Sequence, residues 1–363
     1  MAHEIARRRL RNSKLTDPPF TAAEEVVRWH GAMQSQDYGP AKWAVGQRAL
    51  GLVDEDLEES LAKGLILRTH VLRPTWHFVA GDDIRWLLEL TGPRVHAQTA
   101  ARFRELQLDA RTLDRSETAI AGALKGDNHL TRSEIGGILD RAGIDRSGQR
   151  LPWILMHCEL NATICSGVIR GKQQTYALLD ERATSPRRFD RDEALVELTR
   201  RYLTSHGPAT IQDLRWWSSI TVADIKKAID MLGSEVQNET IDGLTLWSIT
   251  SDSTRPPVTR GVHLLQSYDE VVVGYTESRY LGDPLKAAAR AAWGDRSLPF
   301  AVALVNGAVA GHWRRTIKTR TVNVEILTYK RPNPSELRAL KSAAADFGRF
   351  LEREVTVEID QVP

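Results

Sequence analysis

Two glutamines lie two residues apart in the segment MQSQDY, residues 33–38. A carboxamide offers two N–H donors and a carbonyl acceptor without carrying a charge. If an amphipathic helix ends just there, Gln34 and Gln36 could converge on one small polar object, such as a water molecule or the edge of a sugar. The alternative is a polar helix end that only faces solvent.

A second group of candidates lies in the ribbon of residues 68–78, which holds two arginines and two histidines. Side chains alternate between the two faces of a strand, so Trp76 and Phe78 are predicted to point to the core. Thr75 and His77 then face the other way, beside the basic residues of the preceding strand. Such a ribbon suits contact with phosphates or a DNA groove. A merely solvated ribbon is the alternative.

A third group is cationic and lies in residues 312–320, HWRRTIKTR. If this segment is extended, Arg314, Lys318 and Arg320 share one face and form a basic stripe of about 20 Å. A stripe of that length reaches several phosphates of a DNA backbone. The alternative is an edge strand whose charges prevent unwanted pairing with another chain.

The remaining candidates are weaker. Asp269-Glu270 at a strand end could form a carboxylate site, although such a pair on a bend is more typical of a turn. Cys158 and Cys165 lack further ligands at zinc spacing, so we expect buried fillers. The sequence holds none of the common metal, nucleotide-binding or serine-hydrolase motifs. We therefore expect neither a metal nor a cofactor.

Composition excludes several classes of protein. The chain has 363 residues, 42% hydrophobic and 26% charged, which is typical of a globular protein with more than one core. No apolar run approaches the roughly 20 residues of a spanning helix, and no secretory signal is readable, so a cytoplasmic location is expected. With 49 basic against 47 acidic side chains, the net charge is +2. A nucleic-acid partner then requires local basic patches.

The elements that would position these groups repeat along the chain. Polar, turn-forming linkers at residues 182–190 and 251–260 divide it. Before the first linker, Thr131 and Glu134 form a capping box that opens a helix to about Arg141. A second helix follows over residues 151–160, and then a hairpin with strands at 162–168 and 174–179. Helices followed by a two-stranded wing are the winged-helix variant of the helix-turn-helix motif.

The same order of elements is predicted about eighty residues later and, more loosely, at the N-terminus. In the later unit, Thr210 and Thr221 begin helices, and strands at 235–240 and 244–249 turn at Asp242-Gly243. In the N-terminal unit, a helix from residue 21 to about Ser35 precedes helices at 40–50 and 54–63 and a hairpin at 65–71 and 75–79. An all-helical protein with hairpins is the alternative interpretation.

After residue 260 the pattern changes to strands. They are predicted at 263–268, 271–275, 300–305, 308–313, 320–327 and 355–359, with one helix from Ser335 to about Arg353 and a tight hairpin at Asn306-Gly307. The predicted fold is therefore α+β, with tandem winged-helix domains followed by a small C-terminal β-barrel and one packed helix. The predicted domains are residues 1–109, 110–189, 190–255 and 256–363.

Several motifs together resemble a known family. In order, they are Gln34-Ser35-Gln36-Asp37, residues 41–48 (AKWAVGQR), residues 73–79 (RPTWHFV), residues 265–270 (LQSYDE) with Gly274-Tyr275 and Arg279, and residues 307–314 (GAVAGHWR). This combination, over nearly the whole chain, resembles the bacterial winged-helix alkylpurine DNA glycosylases related to azinomycin self-resistance and interstrand-crosslink unhooking. The resemblance implies tandem winged helices around a DNA-binding channel.

The family's catalytic motif is glutamine, an aliphatic residue, glutamine, and it maps onto Gln34 and Gln36. Ser35 departs from the aliphatic middle position. The resemblance implies excision of N7-alkylated purines from double-stranded DNA by a monofunctional glycosylase, with the paired glutamines positioning a water at C1′. A monomer is expected because tandem units already supply several contacts. Asp37 is the carboxylate that could assist. We assign a further set to DNA binding or to shaping the site: Arg48, Arg73, Thr75, His77, Arg314, Lys318 and Arg320.

Two other classes of function stay open from the sequence. One is a non-enzymatic regulator that binds DNA through its winged helices. Its recognition helix, residues 222–232, offers Lys226 and Lys227 but also Asp224 and Asp230, whereas base readout usually uses Arg, Asn or Gln. The other is a scaffold that binds protein, since a fold does not fix a function. The lesion, and whether a base is extruded from the duplex, are not specified by the sequence.

Overall fold

The structure, a computed structural model, describes residues 2–16, 18–250, 261–282 and 301–361. The linker predicted at residues 251–260 lies outside them. The N-terminal helix α1 (Ala2–Asn12) packs on the third repeated unit and on the C-terminal part, both described below, and Arg9 donates to the carbonyl oxygens of Pro208 in the former and Ser278 in the latter. Among the described residues, no helix is both long and apolar enough to cross a membrane.

The first unit has three helices and a three-stranded sheet in which Gln34 lies opposite His77. The first of these helices ends at His30 because Gly31 takes a positive φ of 78° that favours glycine. The predicted helical end near Ser35 is therefore wrong, and a short strand occupies that place. The elements are α2 (Ala23–His30), β1 (Met33–Gln34), α3 (Tyr38–Gly46), α4 (Asp54–Ala62), β2 (Ile66–His70) and β3 (Trp76–Ala80).

The second unit repeats this order of elements after a long connecting helix. The capping box at its start is confirmed: the Thr131 hydroxyl accepts from the Glu134 amide at 3.3 Å, and the Glu134 carboxylate accepts from the Thr131 amide at 2.7 Å. Its elements, with the connecting helix first, are α5 (Ile84–Glu105), α6 (Ala110–Leu124), β4 (Leu130–Thr131), α7 (Arg132–Arg141), α8 (Arg150–Leu160), β5 (Ile164–Ser166), β6 (Thr175–Leu178) and α9 (Leu179–Arg182).

The third unit follows the first predicted linker, and its predicted helix starts are confirmed. Thr210 and Thr221 each accept a hydrogen bond from the third backbone amide of the helix that they begin. A bridge between Ala209 and Trp247 takes the place of the short strand found in the other two units. The elements are α10 (Arg191–His206), α11 (Ile211–Ser218), α12 (Val222–Leu232), β7 (Val236–Ile241) and β8 (Leu244–Ile249).

The C-terminal part is a five-stranded sheet in the order β13-β12-β11-β10-β9 with one packed helix. The elements are β9 (Val262–Leu265), α13 (Glu270–Val273), β10 (Val302–Val305), β11 (Ala308–Ile317), β12 (Thr321–Thr328), α14 (Pro334–Phe350) and β13 (Glu354–Gln361). The predicted barrel is wrong. After β12 the chain passes through α14, and β13 then joins β12 in parallel. The sheet thus has two edges and no closure within the described residues.

Two further sequence predictions differ from the structure. Residues 271–275 were expected to form a strand, but Asp269 caps the short helix α13, and its carboxylate accepts from the Val271 amide at 3.0 Å. Helices α5 and α6 were not anticipated. Cys158 and Cys165 are buried free thiols, as predicted.

Three hydrophobic clusters explain where the candidate site can form. One cluster joins the first unit to the third, and a second joins the first unit to the C-terminal sheet and α14. The second unit has a core of its own. The strands β1 and β3 contribute to both shared clusters, since Val79 belongs to one and Met33 and Phe78 belong to the other. The glutamine segment therefore lies where three parts of the chain meet.

Candidate active site

Gln34 is held at both its main chain and its side chain. It is the last residue of β1 and is 7% exposed. Its backbone amide donates to Glu270 Oε1 at 2.7 Å, and its side-chain carbonyl accepts from Arg73 Nη2 at 3.1 Å. The carboxamide keeps its two N–H donors and a second carbonyl lone pair for other partners. Gln34 is thus a fixed polar group with hydrogen-bonding capacity to spare.

Glu270 is the buried carboxylate at the centre of the site. Its Oε2 accepts from Trp217 Nε1 at 2.9 Å and lies 3.1 Å from His206 Nε2. Burial raises the pKa of Glu270, but the hydrogen bond and charge of His206, the charge of Arg73 and the Gln34 amide together lower it to about 2. Glu270 is therefore ionised at neutral pH and places a fixed negative charge behind Gln34.

Arg48 anchors the turn that carries Glu270. It is completely buried, and its guanidinium binds both carboxylate oxygens of Asp269, at 2.7 and 2.9 Å. The same guanidinium donates to the carbonyl oxygens of Ser13 and Ala44. Two roles were predicted for Arg48, DNA binding and shaping of the site. A completely buried side chain does not reach DNA. Its place in the structure suits the shaping of the site.

Ser35 and Gln36 follow Gln34 along the hairpin. Ser35 is fully buried, and its amide donates to the Trp76 carbonyl at 2.7 Å. Gln36 is exposed, and its side-chain carbonyl accepts from the Trp76 amide at 3.3 Å. Asp37 is exposed as well, and its negative charge acts on Arg315 of β11. The two glutamines are therefore both fixed to β1 and β3, one inside the protein and one at its surface.

His77 and Thr75 lie on the Gln34 side of the sheet. His77 is fully buried, and burial together with the charge of Arg73 lowers its pKa to about 3, so the ring is neutral at physiological pH. Its Nδ1 lies 2.9 Å from the Thr75 carbonyl. Among the described residues, His77 Nε2, Thr75 Oγ1 and Ser35 Oγ are buried without a hydrogen-bond partner. These three polar atoms are therefore buried with hydrogen-bonding capacity unused.

One predicted neighbourhood is wrong. Arg68 or His70 was expected beside Thr75 and His77, but both contact Trp76 on the opposite face of the sheet. The guanidinium carbon of Arg68 lies 4.4 Å from the Trp76 ring centre, and the His70 ring lies 4.5 Å from it. Since β2 and β3 pair antiparallel with His70 opposite Trp76, their side chains share that face.

The basic segment after Trp313 differs from the predicted stripe. The strand β11 ends at Ile317, and the chain turns where the Lys318 amide donates to the Thr321 carbonyl at 2.9 Å. Arg314 therefore lies on the strand, whereas Lys318 and Arg320 lie on the exposed hairpin tip. Arg314 pairs with Glu325 across the hairpin at 3.1 Å.

Sequence reasoning missed the partners that complete the site. Glu270 was named as part of a possible carboxylate site and of one family motif but was not linked to Gln34, and His206, Trp217 and Arg315 were not singled out. The contact between Gln34 and Glu270 spans 236 residues, so no local spacing could reveal it. Within the described residues, no three His, Cys, Asp or Glu side chains are grouped as metal ligands.

Comparisons with known proteins show the family and the fold of the chain. The family model described as "DNA glycosylase AlkZ-like" matches residues 27–350. A protein of Streptomyces sahachiroi named "Interstrand DNA cross-link repair glycosylase" is 23% identical over 266 residues, which cover 70% of this chain and 71% of that protein. The solved structure of the Streptomyces sahachiroi DNA glycosylase AlkZ is similar over 98% of both chains, with a TM-score of 0.79 and 22% identity. This chain belongs to the AlkZ-like family of DNA glycosylases.

Proposed function

We propose that this glycosylase excises N7-alkylated purines from double-stranded DNA by water attack at C1′, with Gln34 and Gln36 positioning the water. The observation that carries the proposal is the fixation of Gln34 by Glu270 and Arg73. Groups held in place before reaction contribute to rate because no reorganisation is needed in the transition state. Asp37, the exposed carboxylate that follows Gln36 in the chain, would assist.

The charges of the site suit this reaction. An N7-alkylated purine is cationic, so it leaves without being protonated, and the sugar develops positive charge as the bond breaks. Glu270 supplies a buried negative charge at the Gln34 amide, and Arg73 places one positive charge at the Gln34 carbonyl. The pKa of His77, lowered to about 3, keeps that ring from adding a second positive charge, and the pKa of Glu270, lowered to about 2, keeps its carboxylate ionised. A fixed anion of this kind stabilises an oxocarbenium-like transition state.

DNA binding is proposed for the repeated units and the basic hairpin. Helices followed by a hairpin in each of the three units support winged-helix domains, with boundaries proposed at residues 109 and 189. The third proposed boundary, at residue 255, lies outside the described residues. We assign Arg314, Lys318 and Arg320 to phosphates, and Arg73, Thr75 and His77 to shaping the site. The relative's name, an interstrand cross-link repair glycosylase, supports crosslinks or bulky adducts as further substrates. A monomer is proposed because tandem units already supply several contacts.

The test is single-turnover incubation with a duplex that carries one N7-methylguanine, followed by alkaline cleavage of abasic sites. We expect strand breaks with the wild type, and a rate lower by roughly 10²–10³-fold in Gln34→Ala and Gln36→Ala, as for loss of a preorganised polar group. Duplex affinity should stay within a few-fold of wild type. Gln98→Ala, an exposed glutamine on α5, is the matched control.

Two outcomes would contradict the assignment. Equal loss of duplex binding and excision in the glutamine variants would make them binding residues. Absence of strand breaks from the wild type, with salt-sensitive duplex binding intact, would favour the non-enzymatic DNA-binding protein.

A further inference from the structure

Trp216 stands out on the surface beside the candidate site. Its residue is 48% exposed, and it is the one aromatic residue among the strongly exposed large apolar residues of the described chain. The next residue, Trp217, is fully buried and donates to Glu270. The two consecutive indoles at the end of α11 thus point in different directions. Trp217 points to Glu270 inside the protein, and Trp216 points to solvent.

The exposed indole is fixed rather than loose. Trp216 Nε1 donates to the carbonyl of Val273 at 3.3 Å, and Val273 is the last residue of the short helix α13 that begins with Glu270. Trp216 is therefore tied to the same turn that holds Gln34. An aromatic ring held by its own hydrogen bond loses little conformational freedom when a ligand packs on it.

A single side chain links this ring to Gln34. The guanidinium carbon of Arg73 lies 5.7 Å from the Trp216 ring centre, and Arg73 Nη2 donates to Gln34 Oε1. The exposed indole is thus one arginine away from the carboxamide assigned to catalysis. The position of Arg73 also shows that a planar cation lies within reach of the ring, at a distance where cation–π attraction acts.

From these contacts we propose that Trp216 is a base-stacking residue that binds the alkylated purine during excision. This inference rests on the proposed function, because it needs a nucleobase at Gln34. An indole face binds any base by stacking, and it attracts a cationic base more strongly than a neutral one. Trp216 would therefore help to select the cationic, alkylated purine over undamaged bases.

The experiment compares Trp216→Ala, Trp216→Phe and the control Met231→Ala, which removes a side chain of a similarly exposed residue on α12. Each is assayed for single-turnover excision of N7-methylguanine and for affinity to the lesion duplex and the undamaged duplex. We expect Trp216→Ala to lower excision by about 5- to 150-fold, the range for loss of one stacked base. Trp216→Phe should keep most of the rate, and binding of undamaged duplex should change less than threefold.

A binding series separates this proposal from the reaction itself. Gln34→Ala and the double variant Gln34→Ala/Trp216→Ala are titrated with lesion and undamaged duplexes while tryptophan fluorescence is followed. A preference for the lesion duplex that depends on Trp216 supports stacking, even if the wild type excises nothing and the proposed reaction fails. If the preference persists without Trp216, or if wild type and Trp216→Ala excise equally fast, the stacking role is overturned.

Discussion

The interior site and the C-terminal hairpin each contain an arginine paired with a carboxylate, yet the two pairs have different environments. Arg48 and Asp269 have fully buried side chains, with a closest contact of 2.7 Å. Arg314 is 69% exposed and its partner Glu325 is 31% exposed, at 3.1 Å. Burial makes the first pair a fixed support for Glu270, whereas exposure leaves the second cation free to exchange its partner for a phosphate. Both residues are arginines, so the burial or exposure of the side chain decides which of these two roles each can have.

The largest effect expected from this comparison is on stability. Arg48→Ala leaves the Asp269 carboxylate buried without its partner, and we expect a loss of about 3–5 kcal/mol in the free energy of unfolding. Arg314→Ala should change it by less than about 1 kcal/mol, as is usual for exposed pairs. Urea unfolding at pH 7 measures both. Similar losses in the two variants would show that burial does not distinguish the pairs.

A second prediction concerns pH and compares buried with exposed basic groups. Because the pKa of His77 is lowered from its usual 6.5 to about 3, the unfolded chain binds a proton that the folded one does not. This stabilising contribution is complete above pH 6.5 and is lost progressively as the pH falls toward 3. His77→Gln should therefore show a shallower decline in unfolding free energy between pH 6.5 and 4.5.

The control for this slope is His129→Gln, because His129 Nε2 lies 3.2 Å from Oδ1 of the exposed Asp127 in a less buried position than the ring of His77. This variant should keep the wild-type decline of unfolding free energy over the same pH range. If His77→Gln retained the wild-type decline of unfolding free energy with falling pH, burial of a neutral His77 would not explain that decline.

The smallest effects are expected at the hairpin tip. Lys318→Ala or Arg320→Ala should weaken duplex binding a few-fold and lower the slope of log K against log salt by about 0.9 for each lost phosphate contact. The excision rate with saturating enzyme should not change. Lys341→Ala, on the exposed side of α14, is the matched control. If both tip variants keep the wild-type salt slope, the hairpin tip does not contact DNA phosphates.

Much of the fold follows from local signals, and the exceptions have physical causes. The starts of α7, α11 and α12 are encoded by capping threonines close to the amides that they bind. The helix α5 gives no simple amphipathic pattern because its first half packs in the core shared with the third unit and its second half in the core of the second unit. Residues 271–275 read as a strand from their valines, but the Asp269 cap outweighs that β propensity.

The sequence predicted only some of the residues that form the candidate site. Strand alternation placed Thr75 and His77 on one face, and the resemblance singled out the glutamines, but Gln34 was expected at a helix end and not in a strand opposite His77. Glu270 and Trp216 come from parts of the chain brought in by the shared hydrophobic cores. Such contacts depend on how whole units pack, which spacing and periodicity do not report.

The bond between Gln34 and Glu270 also has a consequence for protein synthesis. The glutamine segment leaves the ribosome early, but its partner carboxylate follows only 236 residues later. At roughly 5–20 residues per second, this bond cannot form until about 10–50 seconds after Gln34 has been made. During that time the Gln34 amide lacks the acceptor that it has in the finished protein, and a chain that stops before residue 270 never gains it.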